Sequence, residues 1–109
     1  MKKDLDSILS KYEINEVVCN AVCGDGWVPL IDDLISNLVR IGWDKDLHQI
    51  KEKFGGLRFY VGAGTEDVYD LITEAESKSF KICEDCGSPG KLRRNGWWRT
   101  LCDGCVKTN

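Results

Sequence analysis

Ile50-Lys51-Glu52-Lys53-Phe54-Gly55-Gly56-Leu57-Arg58-Phe59-Tyr60-Val61 is the stretch that decides the fold class. Two runs of strand-forming residues flank a Gly-Gly pair, the signature of a two-residue hairpin turn. With the turn on Gly55-Gly56, Phe54 faces Leu57, Lys53 faces Arg58, Glu52 faces Phe59, Lys51 faces Tyr60 and Ile50 faces Val61. One face of this hairpin, residues 47–62, then carries Ile50, Phe54, Leu57, Phe59 and Val61. The other carries Lys51, Lys53, Arg58 and Tyr60.

Outward from the hairpin the period becomes helical. Leu30 to Ile41 repeats Ile31, Leu34, Ile35, Leu38 and Ile41 on one face, with Pro29 at the start, Asp32 and Asp33 near the positive end of the dipole and Gly42 as a left-handed cap. Leu5, Ile8, Leu9 and Tyr12 predict a short amphipathic helix over residues 4–12, whereas Asn15 to Cys23 is ambiguous. A third helix starts after Thr65, an N-cap followed by Glu66 and Asp67, and buries Val68, Leu71, Ile72 and Ala75. These helices are expected to cover the apolar face of the hairpin.

The chain has 109 residues, with 15 Lys and Arg against 18 Asp and Glu, one His and six Cys. That is room for one domain and a modest core. No apolar run is long enough to cross a bilayer, and the charged start Met1-Lys2-Lys3-Asp4 does not resemble a signal peptide, so no membrane partner and a cytoplasmic location are expected. In that compartment thiols stay reduced, and six cysteines in a short chain point to metal or redox chemistry.

Cys83-x-x-Cys86 and Cys102-x-x-Cys105 lie fifteen residues apart, a spacing suited to a four-thiolate zinc site. Each pair is a tight turn aiming two sulfurs at one point, with Gly87 and Gly104 relieving the backbone, and Asn95-Gly96 is a hairpin signal that returns the second pair to the first. Two disulfides or four free thiols are the alternative. Four thiolates fill the coordination sphere, so the Zn²⁺ is expected to be structural. The architecture is therefore α+β: a central β-hairpin or small antiparallel sheet packed by two or three helices in residues 1–80, and a zinc ribbon in residues 81–109, packed together as one unit.

Cys19 and Cys23 lack the further ligands of a second site. They read as small buried hydrophobes, with a labile disulfide or a metal shared with His48 as alternatives, and His48 itself falls on the alternation of core residues. Charge is uneven. Residues 81–109 hold six basic against three acidic side chains, and residues 1–80 hold nine against fifteen. Pairing around Asn95-Gly96 buries Trp97 and exposes Trp98 beside Lys91 and Arg93, a basic, aromatic surface able to contact phosphates and stack on bases, although Arg over Trp also serves to shield a ribbon. Lys53 opposite Arg58 is an unfavourable pair that an anionic partner would relieve, unless the protein's own acids do so.

The matching residues Gly24-Asp25-Gly26-Trp27 with Leu30-Ile31, the run Gln49 to Tyr60, Ala75-Glu76 with Ser79, Cys83-Glu84 with Cys86-Gly87 and Gly90, and Gly96-Trp97 with Thr100-Leu101-Cys102 make the chain resemble a family of small uncharacterised proteins found in bacteriophages, prophages and bacterial genomes. The resemblance covers Gly24 to Cys105, and some members carry His at the position of Cys105, another zinc ligand. It implies a phage or prophage source and transfers no catalytic residues. The function expected is a non-enzymatic, zinc-stabilised binding protein engaging a host protein complex, with inhibition of a defence system as the analogy from source. The alternative is nucleic-acid binding through Lys51, Lys53, Arg58, Tyr60, Lys91, Arg93 and Trp98. An enzyme using Cys19, Cys23, Asp25 and His48 ranks last, because no complete catalytic set can be assembled from them.

Overall fold

Val28–Arg40 forms the central helix (α2), with Trp27, Val28, Ile31, Leu34, Ile35 and Leu38 buried. It ends on a left-handed cap: Gly42 has φ +92°, and Trp43 N donates to Leu38 O at 3.0 Å. The computed structural model describes residues 5–14, 20–94 and 96–106. Ahead of α2 lie the short helix α1 (Leu5–Lys11), the strand β1 (Asn20–Val22) and one 3₁₀ turn (Asp25–Trp27). Asp32 does not serve the helix dipole; its carboxylate takes the Tyr12 hydroxyl at 2.7 Å and Lys11 at 2.8 Å, tying α1 to α2.

The hairpin consists of β2 (Leu47–Lys53) and β3 (Gly56–Val61), and β1 adds to β2 in parallel, giving a three-stranded sheet in the order β1-β2-β3. The parallel pair is possible because α2 supplies the crossover between β1 and β2. The ambiguous segment thus becomes an edge strand in part, and residues 15–19 lie outside those described.

The hairpin turn lies one position earlier than expected, which moves the pairing by two residues, so Ile50 meets Phe59 instead of Val61 while Ile50, Leu57 and Phe59 keep their inward face. The turn is Phe54-Gly55, with φ of 54° and 85°, so Lys53 pairs with Gly56, Glu52 with Leu57, Lys51 with Arg58 and Ile50 with Phe59. Two positive φ values make the tightly twisted turn that suits hairpins. The two glycines therefore do different jobs. Gly55 turns, while Gly56 stands in the strand because the Phe80 ring occupies the space a Cβ would need. Phe54 leaves the apolar face and is 62% exposed at the tip. His48 also leaves the core: the register shifts between Leu47 and Gln49, Leu47 turns inward and His48 outward, 3.2 Å from Asp46.

Helix α3 (Glu66–Ser79) is capped by Thr65, whose hydroxyl accepts from Val68 N. It lies along β3, and its polar side chains finish the sheet edge: Leu57 N donates to Ser79 Oγ and Phe59 N to Glu76 Oε2, both at 2.9 Å. Outward-facing amides of an edge strand are thereby closed to further pairing. A second, two-stranded sheet pairs β4 (Lys91–Arg93) with β5 (Arg99–Leu101), followed by the single-turn helix α4 (Asp103–Val106). Among the described residues no helix is long and apolar enough to cross a membrane.

Candidate metal centre and the surface beside it

The chain leaves α3 and turns at once through Cys83 to Gly87. Gly87 N donates back to Cys83 O at 2.9 Å, and Gly87 takes φ +85°, which only glycine adopts without strain. The amides of Cys102, Cys86 and Asp85 point at the Cys83 sulfur. The second pair is built differently: Cys102 precedes α4, and Cys105 N donates to Cys102 Sγ at 3.4 Å. Gly104 sits in that helical turn with ordinary packing distances, so it relieves no strain there, contrary to the expectation from sequence.

The four sulfurs of Cys83, Cys86, Cys102 and Cys105 all lie within 4.8 Å of one another, and Cys86 Sγ is 3.6 Å from Cys102 Sγ. A tetrahedral ion bonded to four thiolates at about 2.3 Å needs edges of roughly 3.8 Å, so the cluster can hold a metal ion after small adjustments. Electrostatics agree. Burial pushes the Cys83 thiol up, but the amides of Cys102, Cys86 and Asp85 outweigh it and leave the group below its usual range. The Ser88 hydroxyl and amide, then Cys102 and Cys83, pull Cys86 down to about 6. Cys105 is pushed up, because its proton is shared with Cys102, Cys86 and Cys83. Thiolates this close repel, and a dication between them removes the conflict.

The first pair is locked to the body. Gly26 N donates to Glu84 O at 2.7 Å, Gly24 N to Glu84 Oε2 at 3.0 Å, and the fully buried Trp27 donates Nε1 to Ile82 O at 2.9 Å. A Cβ on Gly26 would collide with the backbone of Cys83, Glu84 and Gly87, so the 3₁₀ turn and the metal knuckle approach backbone to backbone. Glu84 is buried, and burial raises its pKa against the pull of Gly24 N–H and Arg99. From β5, Thr100 Oγ1 donates to Gly55 O at 2.6 Å, and Arg99 reaches Asp85 at 2.7 Å. The task of Gly24 to Trp27 is not legible from local pattern; its one signal is two glycines ahead of a large aromatic residue.

The residues expected on two basic hairpin faces divide into three places. Lys51, Arg58 and Tyr60 lie on the sheet face turned away from buried Ile50 and Phe59, with Lys53 following them to the tip. Lys91 and Arg93 line a hollow beside Cys102 and Asp103, where Arg93 is spent on Leu101 O at 3.1 Å and Asp103 at 2.7 Å. Trp98 sits at the end of the ribbon hairpin. That hairpin is one residue out of the expected register: Arg93 pairs with Arg99, Leu92 with Thr100 and Lys91 with Leu101, so Trp97 and Trp98 lie beyond the paired strands, and Asn95 lies outside the described residues. Trp97 is therefore not buried but 78% exposed, and Trp98 is exposed as well.

The two hairpin ends meet. Phe54 and Trp98 stack edge to face with centroids 6.1 Å apart, Arg94 lies over Trp98 at 4.9 Å, and Lys53 lies over Phe54 at 5.7 Å. Between them is an open groove of about 520 Å³, lined by Glu52, Lys53, Phe54, Gly96, Trp97 and Trp98. Elsewhere, Cys23 is held as a neutral thiol, its pKa pushed up to about 12 by burial and by Glu84 and Asp25. It follows β1 at one end of the β1–β2 ladder, and His48 precedes the other end, so the two are not brought together. Cys19 lies outside the described residues.

Fold and site define the class: a small α+β protein with a tetracysteine, ribbon-like segment docked on its body. No family model, curated protein or solved structure matches this chain.

Proposed function

We propose that this chain is a non-enzymatic binding protein of phage or prophage origin, stapled by one structural zinc, and that it engages a host macromolecule through the joined hairpin tips. The observation that carries this reading is the groove at Phe54, Trp97 and Trp98. Large aromatic side chains left exposed together on a small protein mark an interaction site, and aromatic anchors flanked by Arg and Lys are the usual composition of one. Zinc is the ion best matched to four thiolates in a tetrahedron. It would be held by Cys83, Cys86, Cys102 and Cys105 and would supply charge neutralisation and cross-linking, with no open position for a reacting ligand. The source follows from the family resemblance, and interference with a host complex follows by analogy from the source.

Two measurements test this. Elemental analysis of purified protein is expected to give about one zinc per chain; a metal-free protein with an intact ribbon removes the staple. Affinity capture from a bacterial lysate is expected to recover a partner that Trp97→Ala loses while folding is unchanged. Recovery that is indifferent to Trp97 moves the interaction elsewhere.

A further inference from the structure

We infer that the partner is single-stranded nucleic acid, bound along the face that runs from the joined tips over Lys53, Lys51 and Arg58 to Tyr60. This rests on the proposed binding role of the tips and adds the chemistry of what they bind.

Charge is the first argument. Lys53 and Lys51 occupy alternate positions of β2, Arg58 stands directly opposite Lys51, and Arg94 borders the groove. Two like charges at a directly opposed cross-strand position are unfavourable, and no acid among the described residues forms an ion pair with Lys51, Lys53, Arg58 or Arg94. The acid that lines the groove, Glu52, is turned into the hairpin, where its carboxylate takes Gly55 N–H at 2.6 Å. A polyanion answers this row even though the whole chain carries −3.

Aromatic faces are the second argument. Exposed Phe54, Trp97 and Trp98 stand at one end of the basic row and exposed Tyr60 at the other. Flat side chains at both ends of a row of cations fit a polymer that carries bases along a phosphate backbone, and stacking tolerates any base. Duplex hides its bases, so the unpaired strand is the form that uses both features. A protein partner would use the aromatic tip but has no need of cations spaced at the strand period behind it. Nothing on this face singles out a 2′-hydroxyl, so DNA and RNA are expected to bind alike.

The test is fluorescence anisotropy of zinc-loaded, full-length protein with labelled dT12, rU12 and a twelve-base-pair duplex, from 50 to 300 mM salt. Both single strands are expected to saturate and to bind more tightly than the duplex. The log–log salt slope should be about −2 to −3, as up to four cations each displace roughly 0.7 counterion. Trp97→Ala should weaken binding roughly fivefold to a hundredfold, the range for one stacked base, and Arg58→Glu by at least tenfold. Lys78→Glu, on α3 and paired with Glu74, should leave it unchanged. Circular dichroism and zinc content must be the same in all three variants. Failure of dT12 and rU12 to bind at 50 mM salt, or binding indifferent to Trp97→Ala and Arg58→Glu, overturns the inference. If Trp97→Ala still abolishes capture of a protein in that case, the nucleic-acid assignment falls and the binding role stands. If nothing depends on Trp97, both fall.

Discussion

The two hairpins both rely on glycine at or near their turns and touch at their tips, yet different forces hold them. In β2–β3, Leu47, Ile50, Leu57 and Phe59 are buried under α2 and α3, and Glu76 and Ser79 close the outer edge. In β4–β5 each strand has three residues, and only Thr100 and Leu101 are buried. The first hairpin can hold itself together through apolar burial; the second is too short for that and, on the function proposed above, depends on a metal held by its four cysteines and on its seam with the body. A small chain can therefore support a second hairpin, and with it a composite surface, at the cost of four cysteines instead of a second core.

Metal removal is the severest way to break this comparison. Cys83→Ser, or chelation, withdraws a contribution on the order of 10–16 kcal/mol that folds the ribbon. Amide exchange should then lose protection throughout β4 and β5 while β2 and β3 keep theirs; protected ribbon amides in the chelated protein would contradict the division. Trp27→Ala comes next, at about 3–5 kcal/mol in urea unfolding, because it empties the core and removes the bond to Ile82 O. Since Trp27 serves both regions, zinc affinity should fall with stability, and a loss of stability alone would show the seam to be unimportant.

Ser79→Ala should cost about 1–3 kcal/mol, by stranding the buried Leu57 N–H, with zinc affinity unchanged. A parallel loss of zinc would mean that the hairpins are less independent than drawn. The smallest effect is chemical. In metal-free protein at pH 7.5, iodoacetamide should label Cys86, released with the opened ribbon, well before Cys23, which stays in the folded body with its thiol pushed up to about 12, because the thiolate is the reactive form. Mass spectrometry of the digested protein gives the order, and early labelling of Cys23 would show that it is not held as a neutral buried thiol.

Much of this was legible where the signal is local. The apolar repeats of α1, α2 and α3, the Thr65 cap and the two Cys-x-x-Cys pairs depend on residues within a few positions of one another, and the structure has them close to where the pattern put them. Register was not legible in either hairpin. At Gly55-Gly56 the sequence offers two adjacent residues able to turn, and the choice belongs to Phe80, which fills the space beside Gly56 and keeps it in the strand. In the ribbon, Thr100 bonds Gly55 O from one face of β5, and this sets the pairing that leaves Trp97 outside. In the ribbon the pairing slips by one residue and Trp97 falls in the loop, whereas in the first hairpin the turn moves back one position, the pairing shifts by two residues, Ile50, Leu57 and Phe59 stay inside, and Phe54 alone is carried out into the turn.

The sequence by itself determined the three longer helices, the existence of the two hairpins and the four-cysteine cluster, because helix periods, caps, turn residues and cysteine spacing are written in neighbouring residues. Tertiary structure alone decided which amides meet across the Gly26–Glu84 seam, which glycine turns, and that two hairpin ends from distant parts of the chain share one aromatic groove. Those outcomes depend on the fit between surfaces far apart in the chain, and a turn displaced by one position, invisible to local pattern, changes them.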